Sequence, residues 1–174
     1  RHIPLKDVSA QITSDRIYED IFLTVKGLKD LFGIKKPRIV VCGLNPHASD
    51  NGIIGKEENM VIKPALERIR NKVDCQLDGP FTSDIAVYNA FKGKYDCVIA
   101  MYHDQALIPL KLTGIESGVN LTLGLPFIRT SPLHGTAFDI ALRPSLADPG
   151  SLIEAVKVAL RCFLQTKKRP GDVS

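Results

Sequence analysis

The stretch Tyr95–Gln105, YDCVIAMYHDQ, indicates how the chain folds. Residues 97–102 form a continuous apolar run, and the chain then turns polar at His103, Asp104 and Gln105. A short apolar run without polar alternation is typical of a strand buried on both faces of a parallel sheet that helices cover. We therefore predict an α/β fold with a central strand over residues 95–102.

A second apolar run, residues 38–44, leads into Asn45, Pro46 and His47. In open α/β sheets, ligands bind beyond the carboxyl ends of the strands. His47 and His103 are therefore expected at a ligand crevice, and His2 lies in an extended segment that could reach it. Three imidazoles and one open position suit Zn²⁺ or another divalent ion acting as a Lewis acid. The alternative is three unrelated polar loop residues.

Between and after these strands, the sequence shows helical periodicity and helix-start signals. The pattern predicts a helix that starts from an N-cap at Thr13, Ser14 or Asp15 and runs to Phe32, a helix over 56–72 kinked or reopened at Pro64, and a helix capped by Ser83 or Asp84 that reaches Phe91. It also predicts one helical turn broken by Pro109 and a helix opened by a capping box at Ser151 and Glu154. The apolar face of this last helix is expected to contain Leu152, Val156, Leu160 and Phe163. Shorter strands are predicted at 75–78 and 119–124. Helices alternating with strands favour the α/β class.

Composition narrows the functional classes. The 174 residues fit one domain or a large part of a two-domain enzyme, and 44% hydrophobic with 24% charged residues is ordinary for a globular protein. Aromatic and basic residues are not interleaved, so nucleic-acid binding is not expected. Without a long apolar span or a signal-peptide pattern, we expect no membrane association and a cytoplasmic location. The chain begins at Arg1 rather than Met and is expected to be a piece of a longer protein.

The four cysteines, at positions 42, 75, 97 and 162, are far apart in the sequence and form no C-x-x-C pair. Three lie in apolar, strand-like runs, and the fourth lies in an amphipathic helix. This usage is typical of buried, reduced thiols in a cytosolic protein rather than of a disulfide framework or a zinc site.

A second cluster of polar residues is suited to an anion. Lys111, Asn120 and Arg129 surround one strand, and Arg129 interrupts an apolar stretch. Arginine and lysine near a strand end can bind a phosphate or a carboxylate, although an ordinary surface pair is the alternative. The compact loop Ser131–Asp139 would let a ligand approach its backbone. No G-x-G-x-x-G motif is present, so a nucleotide would have to be held in another way.

Five motifs in order give the chain a recognisable pattern: HIPL from His2, LNPHA from Leu44, YHDQ from Tyr102, NLTLGLP from Asn120, and RT followed by HGTA from Arg129. Together they resemble the 4-hydroxythreonine-4-phosphate dehydrogenase family of pyridoxal phosphate biosynthesis. The likeness covers nearly all of residues 1–174 but corresponds to the C-terminal portion of the usual enzyme, with the N-terminal portion absent. It implies a partial isocitrate/isopropylmalate dehydrogenase-like fold, with helices on a largely parallel sheet.

The resemblance also implies roles for individual residues. A divalent metal, Zn²⁺ or alternatively Mg²⁺ or Co²⁺, would be held by His2, His47 and His103. The phosphorylated hydroxy-acid substrate would contact Lys111, Asn120 and Arg129. An NAD⁺ or NADP⁺ loop would include His134, Gly135, Thr136 and Asp139. Asp84 and Asp104 are candidates for orienting ligands or relaying protons. The family is homodimeric, with active sites at the subunit interface.

The implied reaction is the metal-dependent oxidation and decarboxylation of 4-phosphohydroxy-L-threonine to 3-amino-2-oxopropyl phosphate. One alternative is a sister dehydrogenase of 4-phospho-D-threonate or 4-phospho-D-erythronate, and another is a truncated, non-catalytic metal-binding remnant. The chain departs from the family pattern at Ser49-Asp50, at Thr82-Ser83 before Asp84, and at Leu142-Arg143-Pro144 after the cofactor loop.

Overall fold

The computed structural model of the chain describes residues 2–114, 117–135 and 138–168, apart from the side chains of residues 139 and 144. These residues form two compact units. The first contains residues 2–29 and 34–109, and the second contains residues 30–33 and the described residues from 110 onward. Among the described helices, none is both long enough and apolar enough to cross a membrane.

Helices and strands alternate along the chain. The helices are α1 (Val8–Gln11), α2 (Ser14–Phe32), α3 (Lys63–Arg70), α4 (Ser83–Phe91), α5 (His103–Leu112) and α6 (Gly150–Lys167). The strands are β1 (Arg38–Cys42), β2 (Gln76–Phe81), β3 (Cys97–Ile99), β4 (Val119–Thr122) and β5 (Arg129–Pro132). This order confirms the predicted α/β class.

The sheet of the first unit is parallel and has the strand order β2-β1-β3. The central strand, β1, contributes four fully buried side chains. Ile39 and Val41 pack in the cluster that includes α2 and α3, whereas Val40 and Cys42 pack in the cluster that includes α4. Successive strand side chains point to opposite faces, so a strand covered by helices on both faces needs a continuous apolar run.

The prediction for the strand after Tyr95 is wrong in extent and position. β3 contains only Cys97–Ile99, is half-buried, and lies at the edge of the described sheet rather than at its centre. β3 ends at Ile99, and residues 100–102 lead directly into α5, which begins at His103. An apolar run indicates burial, but it does not specify how many residues pair with a neighbouring strand.

The prediction of a single helical turn around Pro109 is also wrong. α5 runs from His103 to Leu112 with Pro109 inside it. Proline lacks an N–H group and therefore removes one backbone hydrogen bond from the helix interior. Here that loss does not end the helix, which continues for the three residues after Pro109.

In the second unit, β4 and β5 form an antiparallel hairpin on which α6 packs. α6 begins at Gly150, so the predicted capping box at Ser151 is wrong. The buried Ser151 hydroxyl instead donates to the Gly118 carbonyl at 2.7 Å and accepts from the Leu133 N–H at 3.0 Å. The Thr130 hydroxyl donates to the Ala155 carbonyl at 2.9 Å. These bonds fasten the helix to the loop residues flanking the hairpin and to β5.

α6 has an apolar stripe that faces away from this contact. The buried residues of the helix are Ser151, Ala155 and Cys162. The side chains on the predicted apolar face are 47% to 62% exposed, namely Leu152, Val156, Leu160 and Phe163. The sequence pattern located the stripe correctly, but within the second unit the small residues make the packed face.

The four cysteines are free thiols, as predicted. Cys42 and Cys162 are buried, and Cys75 and Cys97 are partly buried. Burial raises the pKa of Cys42 and of Cys97 to about 11, so both remain protonated at neutral pH. These thiols are therefore core side chains rather than nucleophiles.

Two isoleucines in helices of the first unit test which helix side chains pack in the core against the sheet. Ile69 is fully buried beneath β1, whereas Ile85 is 50% exposed on α4. We expect Ile69→Ala to lower the free energy of unfolding by about 2–5 kcal/mol because it leaves a core cavity. Ile85→Ala should change it by no more than about 0.5 kcal/mol. Urea unfolding followed by circular dichroism measures both, and equal losses would contradict the assignment of the core.

Candidate functional site

Polar side chains follow all three strands of the parallel sheet. Asp84 follows β2, His47 follows β1 and His103 follows β3. The carboxyl ends of parallel strands lie at one edge of a sheet, and neighbouring strands are about 4.8 Å apart. The strand order therefore brings the three turns to one edge, with the turn of His47 in the middle.

His2 and His103 lie together beside this edge. Their ring centroids are 5.1 Å apart and the ring planes are inclined at 49°. Both residues line a cleft of about 770 Å³ in the first unit, together with Asp104, Arg16 and a largely apolar wall that includes Ile99. This volume is within the usual range of small-molecule binding sites.

Asp104 fixes the orientation of the His103 ring. The Asp104 Oδ1 atom lies 2.6 Å from His103 Nδ1. An ionised carboxylate can only accept a hydrogen bond, so Nδ1 carries a proton in this pair. The other ring nitrogen, Nε2, is then available to bind a metal ion or a substrate group. A carboxylate behind a histidine is the usual arrangement for a metal-binding imidazole.

His47 lies in a turn with an unusual backbone. Residues 47–51 all have positive φ angles, between 45° and 69°. None is glycine, and the left-handed conformation costs about 1–2 kcal/mol for each such residue. Ser49 is fully buried in this turn, and its hydroxyl has no hydrogen-bond partner among the described residues. Strained backbone of this kind concentrates at binding sites.

The Asp84 carboxylate interacts with both its own turn and His47. A hydrogen bond with the Thr82 side chain is the main reason that the pKa of Asp84 is lowered from its usual value. The Ile85 N–H donates to Asp84 Oδ1 at 2.9 Å and adds to this effect, as does the charge of His47. Thr82, one of the departures from the family pattern, thus helps to keep Asp84 ionised.

The structure brings two of the three predicted metal ligands together. Among the described residues, no group of three or more histidine, cysteine, aspartate or glutamate side chains is arranged to hold a metal ion. His2 and His103 form a pair, and His47 is not grouped with them. Two adjacent imidazoles, one of them oriented by a carboxylate, fit part of a divalent-metal site. The three-histidine site stays a prediction.

A buried hydrogen-bond network holds the turn before His47. The Gly43 N–H donates to the Phe81 carbonyl at 2.7 Å, and the Gln105 Nε2 atom donates to the Gly43 carbonyl at 2.8 Å. Next in the chain, Asn45 donates from its backbone and its side chain to the fully buried Glu58 carboxylate, at 2.7 Å and 2.9 Å. These bonds fix the segment from which the His47 turn begins.

Glu57 joins the same turn to the N-terminal segment that carries His2. Its carboxylate accepts hydrogen bonds from the Ser9 hydroxyl at 2.5 Å and from Asn45 Nδ2 at 2.8 Å. These bonds, led by that of Ser9, lower the pKa of Glu57 to about 2. Sequence reasoning missed Glu57, Glu58 and Gln105 because their partners are distant in the chain. The only available signal was the position of Gln105 directly after His103 and Asp104.

In the second unit, Asn120 and Arg129 share one face of the β4–β5 hairpin. Asn120 is opposite Ser131, and Thr122 is opposite Arg129, so the two predicted substrate residues are diagonal neighbours. Arg129 also donates to the Thr122 hydroxyl at 3.0 Å. Thr130 points to the other face, where it bonds to α6, so the face with Arg129 is the exposed one.

The other predicted residues that the structure describes are also in the second unit. Lys111 lies in the last turn of α5 and is exposed. His134 is exposed and its Nδ1 atom lies 3.0 Å from the Gly135 carbonyl; a side chain at Gly135 would meet no atom within 4 Å. Asp139 belongs to a short 3-10 turn, Phe138–Ile140. The predicted cofactor residue Thr136 lies outside the described residues.

The sequence of the chain matches a known protein family. Residues 1–159 match the family described as pyridoxal phosphate biosynthetic protein PdxA. The chain belongs to this family. A 4-hydroxythreonine-4-phosphate dehydrogenase from Sulfurihydrogenibium sp. is 52% identical over 159 residues, which is 91% of this chain and 48% of the relative. The enzyme of the same name from Bradyrhizobium diazoefficiens is 49% identical over 92% of this chain and 46% of the relative.

Solved structures agree with this membership in the PdxA family. The crystal structure of 4-hydroxythreonine-4-phosphate dehydrogenase from Klebsiella pneumoniae has a TM-score of 0.80 at 42% identity, covering 95% of this chain and 48% of that one. A terephthalate 1,2-cis-dihydrodiol dehydrogenase from Burkholderia xenovorans has a TM-score of 0.72 at 29% identity, with 96% and 50% coverage. The predicted partial isocitrate/isopropylmalate dehydrogenase-like fold is thus confirmed. The chain spans about half the length of the relatives it matches.

The Glu57 carboxylate makes the stability of the fold depend on pH. Its pKa is about 2 in the folded chain, below the ordinary 4.5, so its bonds stabilise the fold above pH 4.5 and this contribution is lost between pH 4.5 and 2. We expect Glu57→Gln to cost about 1 kcal/mol at pH 7, a modest value because solvent screens this partly exposed group. Unfolding should be measured from pH 7 to 2, and a difference that persists undiminished at the lowest pH would contradict the assignment.

Proposed function

We propose that this chain forms the C-terminal portion of a metal-dependent, NAD(P)-linked dehydrogenase of pyridoxal 5'-phosphate biosynthesis. The reaction is the oxidation and decarboxylation of 4-phosphohydroxy-L-threonine to 3-amino-2-oxopropyl phosphate. The supporting observation is the 52% identity, over nearly the whole chain, to a relative named for activity on this class of substrate. Because the chain spans about half of that relative, the activity is proposed for the assembled enzyme.

The proposed metal ligands are His2, His103 and His47. The adjacency of the His2 and His103 rings supports the first two, and the position of His47 at the same sheet edge supports the third. A divalent ion, Zn²⁺ or alternatively Mg²⁺ or Co²⁺, would supply Lewis-acid polarisation of the substrate hydroxyl. Asp104 keeps the proton on His103 Nδ1 and so leaves Nε2 as the ring nitrogen with a lone pair for the ion. Asp84 stays ionised beside His47 and can orient it or relay a proton.

The proposed substrate anchors are Arg129, Asn120 and Lys111. Arg129 and Asn120 present a guanidinium and an amide on the exposed face of the hairpin, and such groups bind phosphate and carboxylate oxygens. Lys111 adds an exposed positive charge at the end of α5. Anchoring the anionic end of the substrate positions the carbon that is oxidised.

The nicotinamide cofactor, NAD⁺ or NADP⁺, is assigned to the loop containing His134, Gly135, Thr136 and Asp139. The open space around Gly135 supports a close approach of the ligand to the backbone there. The cofactor accepts the hydride, and the loop contributes binding and orientation. We place the enzyme in the cytoplasm as a homodimer with its active site at the subunit interface.

A substrate assay tests the activity and its alternatives. The chain is assayed alone and mixed with a polypeptide corresponding to the part of the Klebsiella pneumoniae relative that it does not match. NADH or NADPH formation is followed with 4-phosphohydroxy-L-threonine and with 4-phospho-D-erythronate. Faster turnover of the first substrate supports the proposal, and faster turnover of the second indicates the sister dehydrogenase. If the chain binds metal but turns over neither substrate, alone or with the added polypeptide, it is a non-catalytic remnant.

His103→Ala tests the metal site. Removing one of three imidazole ligands should weaken Zn²⁺ binding by the chain at least about 100-fold, since losing only the hydrogen-bond partner of a ligand already costs about 10–100-fold. His134→Ala is the matched control, because His134 lies outside the proposed ligand set, and it should leave the affinity unchanged. Competition with a chromophoric chelator gives both values. Wild-type affinity in His103→Ala would refute the ligand assignment.

Arg129→Ala tests substrate anchoring in the active mixture. Loss of a charged hydrogen bond to the phosphate or carboxylate should raise KM about 10- to 100-fold. Arg161→Ala removes an exposed guanidinium from α6 and serves as the control. If Arg129→Ala leaves both KM and kcat at the control values, the residue does not anchor the substrate.

A further inference from the structure

The Gln105 side chain is buried, and each of its two polar atoms makes a hydrogen bond. It is 8% exposed, and its amide makes two hydrogen bonds. Oε1 accepts from the Met101 N–H at 2.6 Å, and Nε2 donates to the Gly43 carbonyl at 2.8 Å. Both partners are backbone groups that lie beyond the ends of β3 and β1. The amide therefore joins the ends of β3 and β1 at a level where the two strands make no direct pair with each other.

The pairing between β1 and β3 stops two residues before these backbone groups. Its last pair is Val41 with Ile99. Backbone groups past the end of a parallel ladder need other partners, because an unpaired buried N–H or carbonyl is costly. An amide side chain carries the same donor and acceptor as a peptide group, so Gln105 acts as one additional rung of the sheet.

We propose that Gln105 is a positioning residue for the two histidines that leave these strand ends. The Met101 bond holds the turn that leads into His103, and the Gly43 bond holds the segment that leads through Asn45 to His47. Gln105 does not belong to the proposed ligand set; it fixes the separation of two ligands by fixing the backbones that carry them. This inference rests on the proposed metal site, but its first test needs no metal.

The test compares three variants of the 174-residue chain. Gln105→Met keeps the size of the side chain and removes both hydrogen bonds. Gln105→Glu keeps an acceptor for the Met101 N–H but, as a carboxylate, cannot donate to the Gly43 carbonyl. Tyr95→Phe is the control, since it removes one hydrogen bond of a 4% exposed side chain, the 3.0 Å bond from the Tyr95 hydroxyl to Asp78.

The first readout is the set of histidine ring signals in NMR spectra of the metal-free chain, with the signals of His47, His103 and His134 assigned through His47→Gln, His103→Gln and His134→Gln. His47 is the decisive signal because it is distant from Gln105 in sequence, whereas His103 is two residues away. We expect the His47 signal to move or broaden in Gln105→Met and in Gln105→Glu, with the His134 signal unchanged. Tyr95→Phe should move none of the three. An unmoved His47 signal in either Gln105 variant would overturn the proposal.

The second readout is Zn²⁺ affinity. A positioning role predicts a 10- to 100-fold weaker affinity in both Gln105 variants and less than a twofold change in Tyr95→Phe. Equal losses in the Gln105 variants and the control would show that Gln105 only supports the fold, and would overturn the proposal. If the wild-type chain binds no Zn²⁺, the proposed metal site fails, and the His47 signal still decides the role of Gln105.

Discussion

The backbone N–H and carbonyl of Gly43 hold together the ends of the three strands of the first unit, and the sheet edge depends on these two bonds. The Gly43 N–H is bonded to the end of β2 through Phe81, and the Gly43 carbonyl is bonded to the Gln105 side chain, which also holds the turn after β3. A β-carbon at this position would lie 3.0 Å from Glu58 Oε1 and 3.1 Å from Ala48 Cα, so glycine gives the chain room to pack closely against both residues. The polar turns at the sheet edge all leave from this junction.

The core elements of the fold could be predicted from the sequence because their signals are local. The apolar run that became β1 and the stripe that became the buried face of α2 follow directly from residue periodicity. The extent of β3 could not be predicted, since it depends on where its neighbour stops pairing. For the same reason, residue patterns indicated only that His2 could reach the crevice of His103, and the family resemblance implied that both bind one metal. The roles of Glu57 and Gln105 were not available at all, because their partners are set by tertiary contacts.

α6 shows why an amphipathic pattern does not decide which face of a helix is packed. Its large apolar residues form a regular stripe, yet within the second unit the hairpin contacts the small residues Ser151 and Ala155. Small side chains let the helix backbone come close enough for the Thr130 hydroxyl to reach the Ala155 carbonyl. Side chains of α6 are apolar on more than one face, and periodicity alone cannot rank such faces.

The strained turn at His47 and the buried carboxylate of Glu58 are parts of one energetic arrangement. Five consecutive non-glycine residues have positive φ, and each costs about 1–2 kcal/mol. A single hydrogen bond contributes about 1 kcal/mol, so one such bond cannot offset the total cost. The two bonds from Asn45 to the fully buried Glu58 side chain, at 2.7 Å and 2.9 Å, hold the residue two positions before His47. The polar network at the sheet edge therefore fixes the segment from which the strained turn begins.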